Sequence, residues 1–207
     1  MAMGELNASA ADAESAVFSI LVVCTANICR SALAEHLLRT ALTKSAGATQ
    51  FEVSSAGARG WDSAAMDAAA ADELRRLGGD AGSFRSRPLQ ATHCENADLI
   101  LTATMEHRAA VLELVPRALK RTFTLLEFAY LVTHVPTIAE AAGSPTEVVR
   151  RAAAARGAAV LDNYDVPDPY GGPPQLHRSV ADAVETAVNQ VASVVMPTAD
   201  ASPEVRQ

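Results

Sequence analysis

Short apolar runs alternate along this chain with longer segments whose apolar residues recur every three or four positions. The first run, 18–23, is rich in β-branched residues and is typical of a strand buried on both faces. After a short turn comes a segment over 32–43 whose leucines lie at helical spacing. The same alternation predicts further strands at 51–54, 98–101 and 121–125, and further helices from residue 62 or 63 to 77, at 105–114, around 127–131 and at 174–195. This order predicts a single α/β domain with a four-stranded parallel sheet and helices on both of its faces.

Both ends of the chain and one internal segment stand apart from this pattern. Residues 1–16 are small and acidic and predict a flexible N-terminal arm, and the polar residues 197–207 predict a flexible tail. The domain itself is therefore expected to span 17–196. Within it, residues 137–159 are rich in Ala and Arg and predict helix, with an interruption at 143–145.

Composition narrows the class of protein. The 207 residues are 49% hydrophobic and 20% charged, which excludes a disordered chain. A net charge of −7 argues against a general binder of nucleic acid or of anionic membranes. Three cysteines, no targeting signal and no apolar run longer than 20–24 favour a cytoplasmic protein with reduced thiols. The five histidines show no pair at metal-ligand spacing, so we expect neither a metal nor a cofactor.

The turn after the first strand has the chemistry of a phosphate site. It reads C-x5-R-S from Cys24 to Ser31, and ligands of parallel sheets sit beyond the carboxyl ends of the strands. Backbone N–H groups of such a turn can point inward, and the following helix adds its positive end. Arg30 can hold two phosphoryl oxygens, and these positive groups favour a Cys24 thiolate. The turn therefore predicts a bound oxyanion beside an activated nucleophile.

These residues also resemble a known family. The stretch 22–35 is similar to the signature of low-molecular-weight protein tyrosine phosphatases of the bacterial type, and the likeness continues at 54–57, 97–101 and 168–170. The resemblance implies a four-stranded parallel sheet, with Cys24 as nucleophile, Arg30 as phosphate clamp and Asp168 as general acid. It implies a phosphate-binding loop made of Thr25, Ala26, Asn27, Ile28, Cys29 and Ser31.

The resemblance gives further residues a role. Ser31 would donate to the thiolate, Asn27 and Ser55 would hold the shape of the loop, and Trp61 and Tyr170 would form walls of the substrate cleft. Cys29 has two interpretations: an inert buried thiol, or the partner of Cys24 in a protective disulfide under oxidation.

Departures from the family pattern also stand out. Ala26 and Ala32 replace a Gly and a Pro of the signature, and a segment near 134–162 is an insertion relative to shorter members. By itself Asp168, flanked by prolines, would mark only a turn; beside the Cys24 loop it is the candidate acid. Asp165 is the competing carboxylate.

The sequence therefore predicts a metal-independent cysteine phosphatase acting on phosphotyrosine in proteins. The alternatives are an arsenate reductase of the same fold, for which Cys94 is the single downstream thiol, and a lapsed phosphate-binding module. By resemblance alone, a tyrosine kinase of polysaccharide export is a candidate partner.

Overall fold

The computed structural model describes residues 17–43, 51–142 and 144–196, and the expected arm and tail lie outside these ranges. The four strands form one parallel sheet in the order β2-β1-β3-β4. Their bounds are Phe18–Cys24 for β1, Phe51–Gly57 for β2, Leu99–Thr102 for β3 and Thr122–Thr124 for β4. The predicted α/β class and four-stranded sheet are confirmed.

Helices cover both faces of this sheet. Their bounds are Arg30–Thr43 for α1, Ala68–Arg76 for α2, Ala91–Asn96 for α3, Met105–Leu114 for α4, Leu125–His134 for α5, Pro136–Ala139 for α6, Pro145–Ala154 for α7 and Pro174–Val195 for α8. Short 3-10 helices occupy Pro116–Arg121 and Arg156–Ala158. None of the helices within the described ranges is long and apolar enough to cross a membrane.

The central strand β1 shows why its sequence is apolar throughout. Ile20, Val22 and Cys24 belong to the large core that also includes buried side chains of α1, α5 and α8. Leu21 and Val23 point the other way, into a smaller core with buried residues of α3 and α4. Because side chains alternate along a strand, a strand buried on both faces has no polar face.

The predicted helix start at residue 62 or 63 is wrong. Helix α2 begins at Ala68, and its N-cap is Asp67, whose carboxylate accepts from the N–H groups of Ala69 and Ala70. The preceding residues pair instead with a distant segment: the N–H of Ser63 donates to the carbonyl of Ser86, at 2.8 Å. Ser63 also has φ of 59°, which a helix does not allow.

The segment near 134–162 packs on the domain as helices α6 and α7. Ile138 and Val148 are fully buried in the large core. Arg156 fixes the end of the segment, because its guanidinium lies 4.3 Å from the centre of the Phe123 ring and 3.1 Å from the Glu127 carboxylate. The helical character expected at 137–159 is present; α3 was not expected from the sequence.

Candidate active site

The loop 25–29 connects β1 to α1 at the edge of the sheet where the parallel strands end. Cys24 is the last residue of β1 and Arg30 the first of α1. The loop lines one side of a cleft of about 230 Å³, and Arg59, Trp61, Asp168 and Tyr170 line the rest. The structure therefore brings the predicted nucleophile, clamp, acid and aromatic walls together.

Backbone donors surround this cleft. The N–H groups of residues 26–29 donate to no acceptor within the described part of the chain. Helix α1, with its own free N–H groups, begins immediately after them. Unpaired N–H groups at a helix N-terminus form an anion site, as the C-x5-R-S spacing predicts.

A hydrogen-bond network fixes the loop from behind. Asn27 has φ of 59°, and its side-chain amide donates to Ser31 Oγ at 2.9 Å and to Ser55 Oγ at 2.7 Å. Since Ser31 Oγ accepts from Asn27, its single hydrogen can point at Cys24 Sγ, which lies 3.0 Å away. The structure therefore places Asn27, Ser31 and Ser55 in one network behind the loop, and the roles that the resemblance implied for them stay predictions.

Two residues of this network were not expected from the sequence. Glu35, buried on α1, accepts from the hydroxyl of Ser55. The backbone N–H of Arg87 donates to Asn27 Oδ1 at 3.0 Å. The replacement of the family Gly by Ala26 strains nothing, because Asn27 and Ser63 are the non-glycine residues with positive φ in the described ranges.

Arg30 is 5% exposed and lies between the loop and the segment that carries the acid. Its Nη1 donates to the carbonyl of Val166 at 3.2 Å, and its Nη2 donates to Thr25 Oγ1 at 3.1 Å. Nη2 is also 2.8 Å from Asp168 Oδ2. The buried Nε has no hydrogen-bond partner among the described groups.

The two competing carboxylates have different surroundings. Asp165 Oδ1 accepts from the N–H of Met105 at 2.8 Å, and the N–H of Val166 donates to the carbonyl of Ala103 at 2.8 Å. These two bonds hold residues 165 and 166 against the start of α4, and the bond from Met105 occupies the Asp165 carboxylate. Asp168 is 52% exposed and lines the cleft. The geometry therefore favours Asp168 as the acid.

Trp61 and Tyr170 stand at the mouth of the cleft. They are 55% and 57% exposed, and their ring centres lie 6.5 Å apart with the planes nearly perpendicular. Both rings lie in loops, and Gly171, with φ of 71°, makes the turn after Tyr170. Two exposed rings that meet at the mouth of the cleft form a surface on which a flat apolar group can pack.

The cysteines are free and buried. Burial, followed by the charges of Asp67, Cys24 and Asp168, raises the pKa of Cys29 to about 12. Burial also raises the pKa of Cys94 to about 11. Cys94 lies in the smaller core, on the opposite face of the sheet from Cys24. A disulfide between Cys24 and Cys29 stays a prediction.

His107 is a neighbour of the loop that the sequence did not point to. It is buried on α4, with Nε2 at 2.9 Å from Thr25 Oγ1 and Nδ1 at 2.7 Å from Thr104 Oγ1. Burial, and next the charge of Arg30, lowers the pKa of His107 to about 4. The ring is therefore neutral at physiological pH.

We expect this burial to make stability depend on pH. The unfolded ring takes up a proton below about pH 6.5, the folded ring only below about pH 4, so the unfolded state binds more protons between these values. The free energy of unfolding should therefore fall, by up to roughly 3 kcal/mol, as pH drops through that window. Urea unfolding at neutral and mildly acidic pH measures this. His107→Gln should lose that part of the pH dependence, and an unchanged profile in the variant would contradict the assignment.

Comparison with known proteins places this site in a family. The sequence model described as low molecular weight phosphotyrosine protein phosphatase matches residues 19–136, more than half of the chain. The match includes the loop at 24–31 and ends before Asp168.

Individual relatives carry two activities in their names. A protein-arginine-phosphatase of Geobacillus stearothermophilus is 29% identical over 175 residues, covering 84% of this chain and 94% of that protein. The low molecular weight protein-tyrosine-phosphatase Etp of Escherichia coli strain K12 is 40% identical over 104 residues, covering 50% of this chain and 66% of that protein.

A solved structure supports the same placement. The YwlE arginine phosphatase from Geobacillus stearothermophilus superposes with a TM-score of 0.63 at 28% identity, covering 84% of this chain and 90% of that one. The chain belongs to the low molecular weight phosphotyrosine protein phosphatase family.

Proposed function

We propose that this chain is a cysteine phosphatase that hydrolyses phosphotyrosine in proteins through a cysteinyl-phosphate intermediate, without a metal. The observation that carries the proposal is the arrangement of Cys24, Arg30 and Asp168 in one cleft whose mouth is formed by Trp61 and Tyr170. The domain that performs this reaction is proposed to span 17–196, and to act in the cytoplasm.

The first step transfers the phosphoryl group to the enzyme. The Cys24 thiolate attacks phosphorus, the bond from phosphorus to the tyrosyl oxygen breaks, and that oxygen takes a proton from Asp168. The guanidinium of Arg30 and the unpaired loop amides bind the phosphoryl oxygens, where negative charge is concentrated.

The second step frees the enzyme. A water molecule attacks phosphorus and gives its proton to the Asp168 carboxylate, and the bond from phosphorus to sulfur breaks. The electron pair returns to Cys24, which is again a thiolate with Ser31 3.0 Å away, and inorganic phosphate leaves. The same carboxyl group acts as acid and then as base, so one carboxyl group in the cleft suffices for both steps.

The cleft mouth supports an aromatic phosphate ester. A phenyl ring attached to the phosphoryl group can pack against Trp61 and Tyr170, while Ile28 adds apolar surface near the floor. Phosphoserine has no ring to fill this space. The proposed partners are therefore tyrosine-phosphorylated proteins; on the resemblance to bacterial members alone, we include a tyrosine kinase of polysaccharide export among them.

A protein-arginine phosphatase is the second candidate. A relative with that name matches 84% of this chain, a greater share than the tyrosine phosphatase Etp. The guanidinium of a phosphoarginine substrate could stack on Trp61 or Tyr170. Arg59 at the rim, paired with Glu106 at 3.2 Å, adds positive charge where such a substrate would place its own. The positive charge of Arg59 would repel the guanidinium of phosphoarginine and therefore favours phosphotyrosine, whose phenyl ring is uncharged.

The arsenate reductase alternative receives little support. Such a reaction commonly uses a pair of resolving thiols in a loop well downstream of the nucleophile, whereas Cys94, the thiol beyond the loop, is fully buried on the far side of the sheet from Cys24. The cleft also contains a carboxyl group, Asp168, for which a reductase has little use.

Matched peptides test the proposed substrate. Peptides that differ only in the phosphorylated residue (Tyr, Arg or Ser) should be assayed for phosphate release in the presence of EDTA. We expect kcat/KM for phosphotyrosine to exceed the other two by at least about tenfold, which corresponds to roughly 1.4 kcal/mol of transition-state binding. A preference for phosphoarginine would replace the proposal with the second candidate, and loss of activity in EDTA would contradict metal independence.

A further inference from the structure

The side chain of His107 makes two contacts, and both are to hydroxyl groups. Nε2 contacts Thr25 Oγ1 at 2.9 Å, and Nδ1 contacts Thr104 Oγ1 at 2.7 Å. Thr25 is the residue directly after Cys24, and its hydroxyl accepts from Arg30 Nη2 at 3.1 Å. An unbroken line of hydrogen bonds therefore joins the start of α4 to the guanidinium in the cleft.

Capping of α4 does not explain the ring. Thr104 caps this helix by accepting from the backbone N–H of residue 107 at 3.2 Å, a contact that any residue at that position would keep. The imidazole lies beyond this bond and reaches Thr25, which is 82 positions away in sequence. A buried histidine costs free energy that the cap does not require.

The protons of this line can be assigned consistently. Thr25 Oγ1 has one hydrogen and two lone pairs, and one lone pair accepts from Arg30. A neutral imidazole has one N–H and one bare nitrogen, so it can donate to one hydroxyl and accept from the other. Both tautomers satisfy the two threonines. Arg30, Glu106, Asp165 and Asp168 are the charged groups near the ring, and Arg30 opposes its protonation.

We propose that His107 is a positioning residue for the phosphatase reaction: its neutral ring holds the hydroxyl of Thr25, and Thr25 holds the guanidinium of Arg30 in the orientation that binds the phosphoryl group. The inference rests on the proposed function. It adds to the site a residue of α4 that does not line the cleft. Without His107, Thr25 can rotate and Arg30 loses one of the contacts that fix Nη2.

Two variants separate the contact with Thr25 from the contact with Thr104. In His107→Gln the amide can occupy the place of Nε2 and keep the bond to Thr25. In His107→Asn the shorter amide can occupy the place of Nδ1 and keep only the bond to Thr104. We expect His107→Asn to lower kcat for p-nitrophenyl phosphate by about 10- to 100-fold and to weaken vanadate binding, because a small displacement of Arg30 is costly. His107→Gln should stay within a few-fold of the wild type.

A double-mutant cycle checks that the effect passes through Thr25. Thr25→Val removes the hydroxyl and keeps the shape, and adding His107→Asn to it should cost little more. His134→Gln is the matched control, since His134 is exposed and stacks on Tyr130. Thermal unfolding shows whether each variant is folded; if His107→Asn is not, His107→Leu, which removes both contacts of the ring, takes its place in the cycle with Thr25→Val.

The outcomes are distinct. Three results would overturn the positioning role. They are an equal fall in kcat in His107→Gln and His107→Asn, a higher kcat in His107→Asn than in His107→Gln, and an effect of His107→Asn on kcat that is undiminished in the Thr25→Val background. The affinity for vanadate tests the positioning role of His107 without any measurement of turnover. A wild-type protein that binds vanadate but releases no p-nitrophenol would instead contradict the proposed function and leave the effect on affinity measurable.

Discussion

Cys24→Ser is expected to lower the turnover of aryl phosphates by at least about 10³-fold while the protein still binds phosphate or vanadate. A serine hydroxyl is not ionised at neutral pH and is a far weaker nucleophile than a thiolate, so turnover should collapse. The donors that bind the oxyanion, Arg30 and the unpaired N–H groups of residues 26–29, remain in place. Turnover and ligand affinity should therefore separate completely, as measured by p-nitrophenol release and by calorimetry.

Cys94→Ala is the control for this result. It also removes a buried thiol, but from the smaller core on the other face of the sheet. It should reduce stability and leave kcat close to the wild-type value. Residual activity above a tenth of wild type in Cys24→Ser would remove Cys24 from its role as nucleophile.

Asp168→Asn is expected to show a loss that depends on the leaving group. Asparagine keeps the size of the side chain and much of its hydrogen bonding, but has no proton to transfer. The p-nitrophenolate group leaves with little help, so the loss should be modest for p-nitrophenyl phosphate. The phenolate of a tyrosyl peptide is far more basic, and there the loss should reach about 10²- to 10⁴-fold.

Asp165→Asn provides the comparison. Its carboxylate accepts from the N–H of Met105, at the start of α4, and this bond helps to fix the position of the segment 165–168 that carries Asp168. We expect an equal and mild loss for both substrates. If Asp165→Asn shows the dependence on the leaving group and Asp168→Asn does not, the two roles must be exchanged. If neither shows it, the reaction does not use a carboxylic acid from this segment.

The loop that contains Cys24 and Arg30 could be predicted from the sequence because its residues are neighbours along the chain. An apolar strand, a turn and a helix with leucines at helical spacing fixed where Cys24 and Arg30 would lie relative to the sheet. The rule that ligands bind at the carboxyl ends of parallel strands then placed the loop. By contrast, the start of α2 was misplaced because Asp62, Ser63 and Asp67 are all good capping residues, and long-range pairing with Ser86 decided between them.

The remaining parts of the site depend on contacts between distant segments. The carbonyl of Val166 accepts from Arg30 across 136 positions, and His107 reaches Thr25 across 82. No local pattern marks such pairs: a histidine in the first turn of a helix and an aspartate before Val-Pro look like ordinary capping and turn residues. The resemblance had already favoured Asp168 over Asp165, but the bond from the N–H of Met105 that engages the Asp165 carboxylate could be seen only in the structure.

Trapping the phosphorylated enzyme shows whether Cys24 is the nucleophile. The protein should be mixed with excess p-nitrophenyl phosphate, quenched in acid during turnover, digested and analysed by tandem mass spectrometry. We expect one phosphoryl group on the peptide that contains Cys24, located on the sulfur of that residue, and none on the same peptide in Cys24→Ala under the same conditions. A phosphoryl group on another residue, or none on the protein although the substrate is hydrolysed at the wild-type rate, would contradict it.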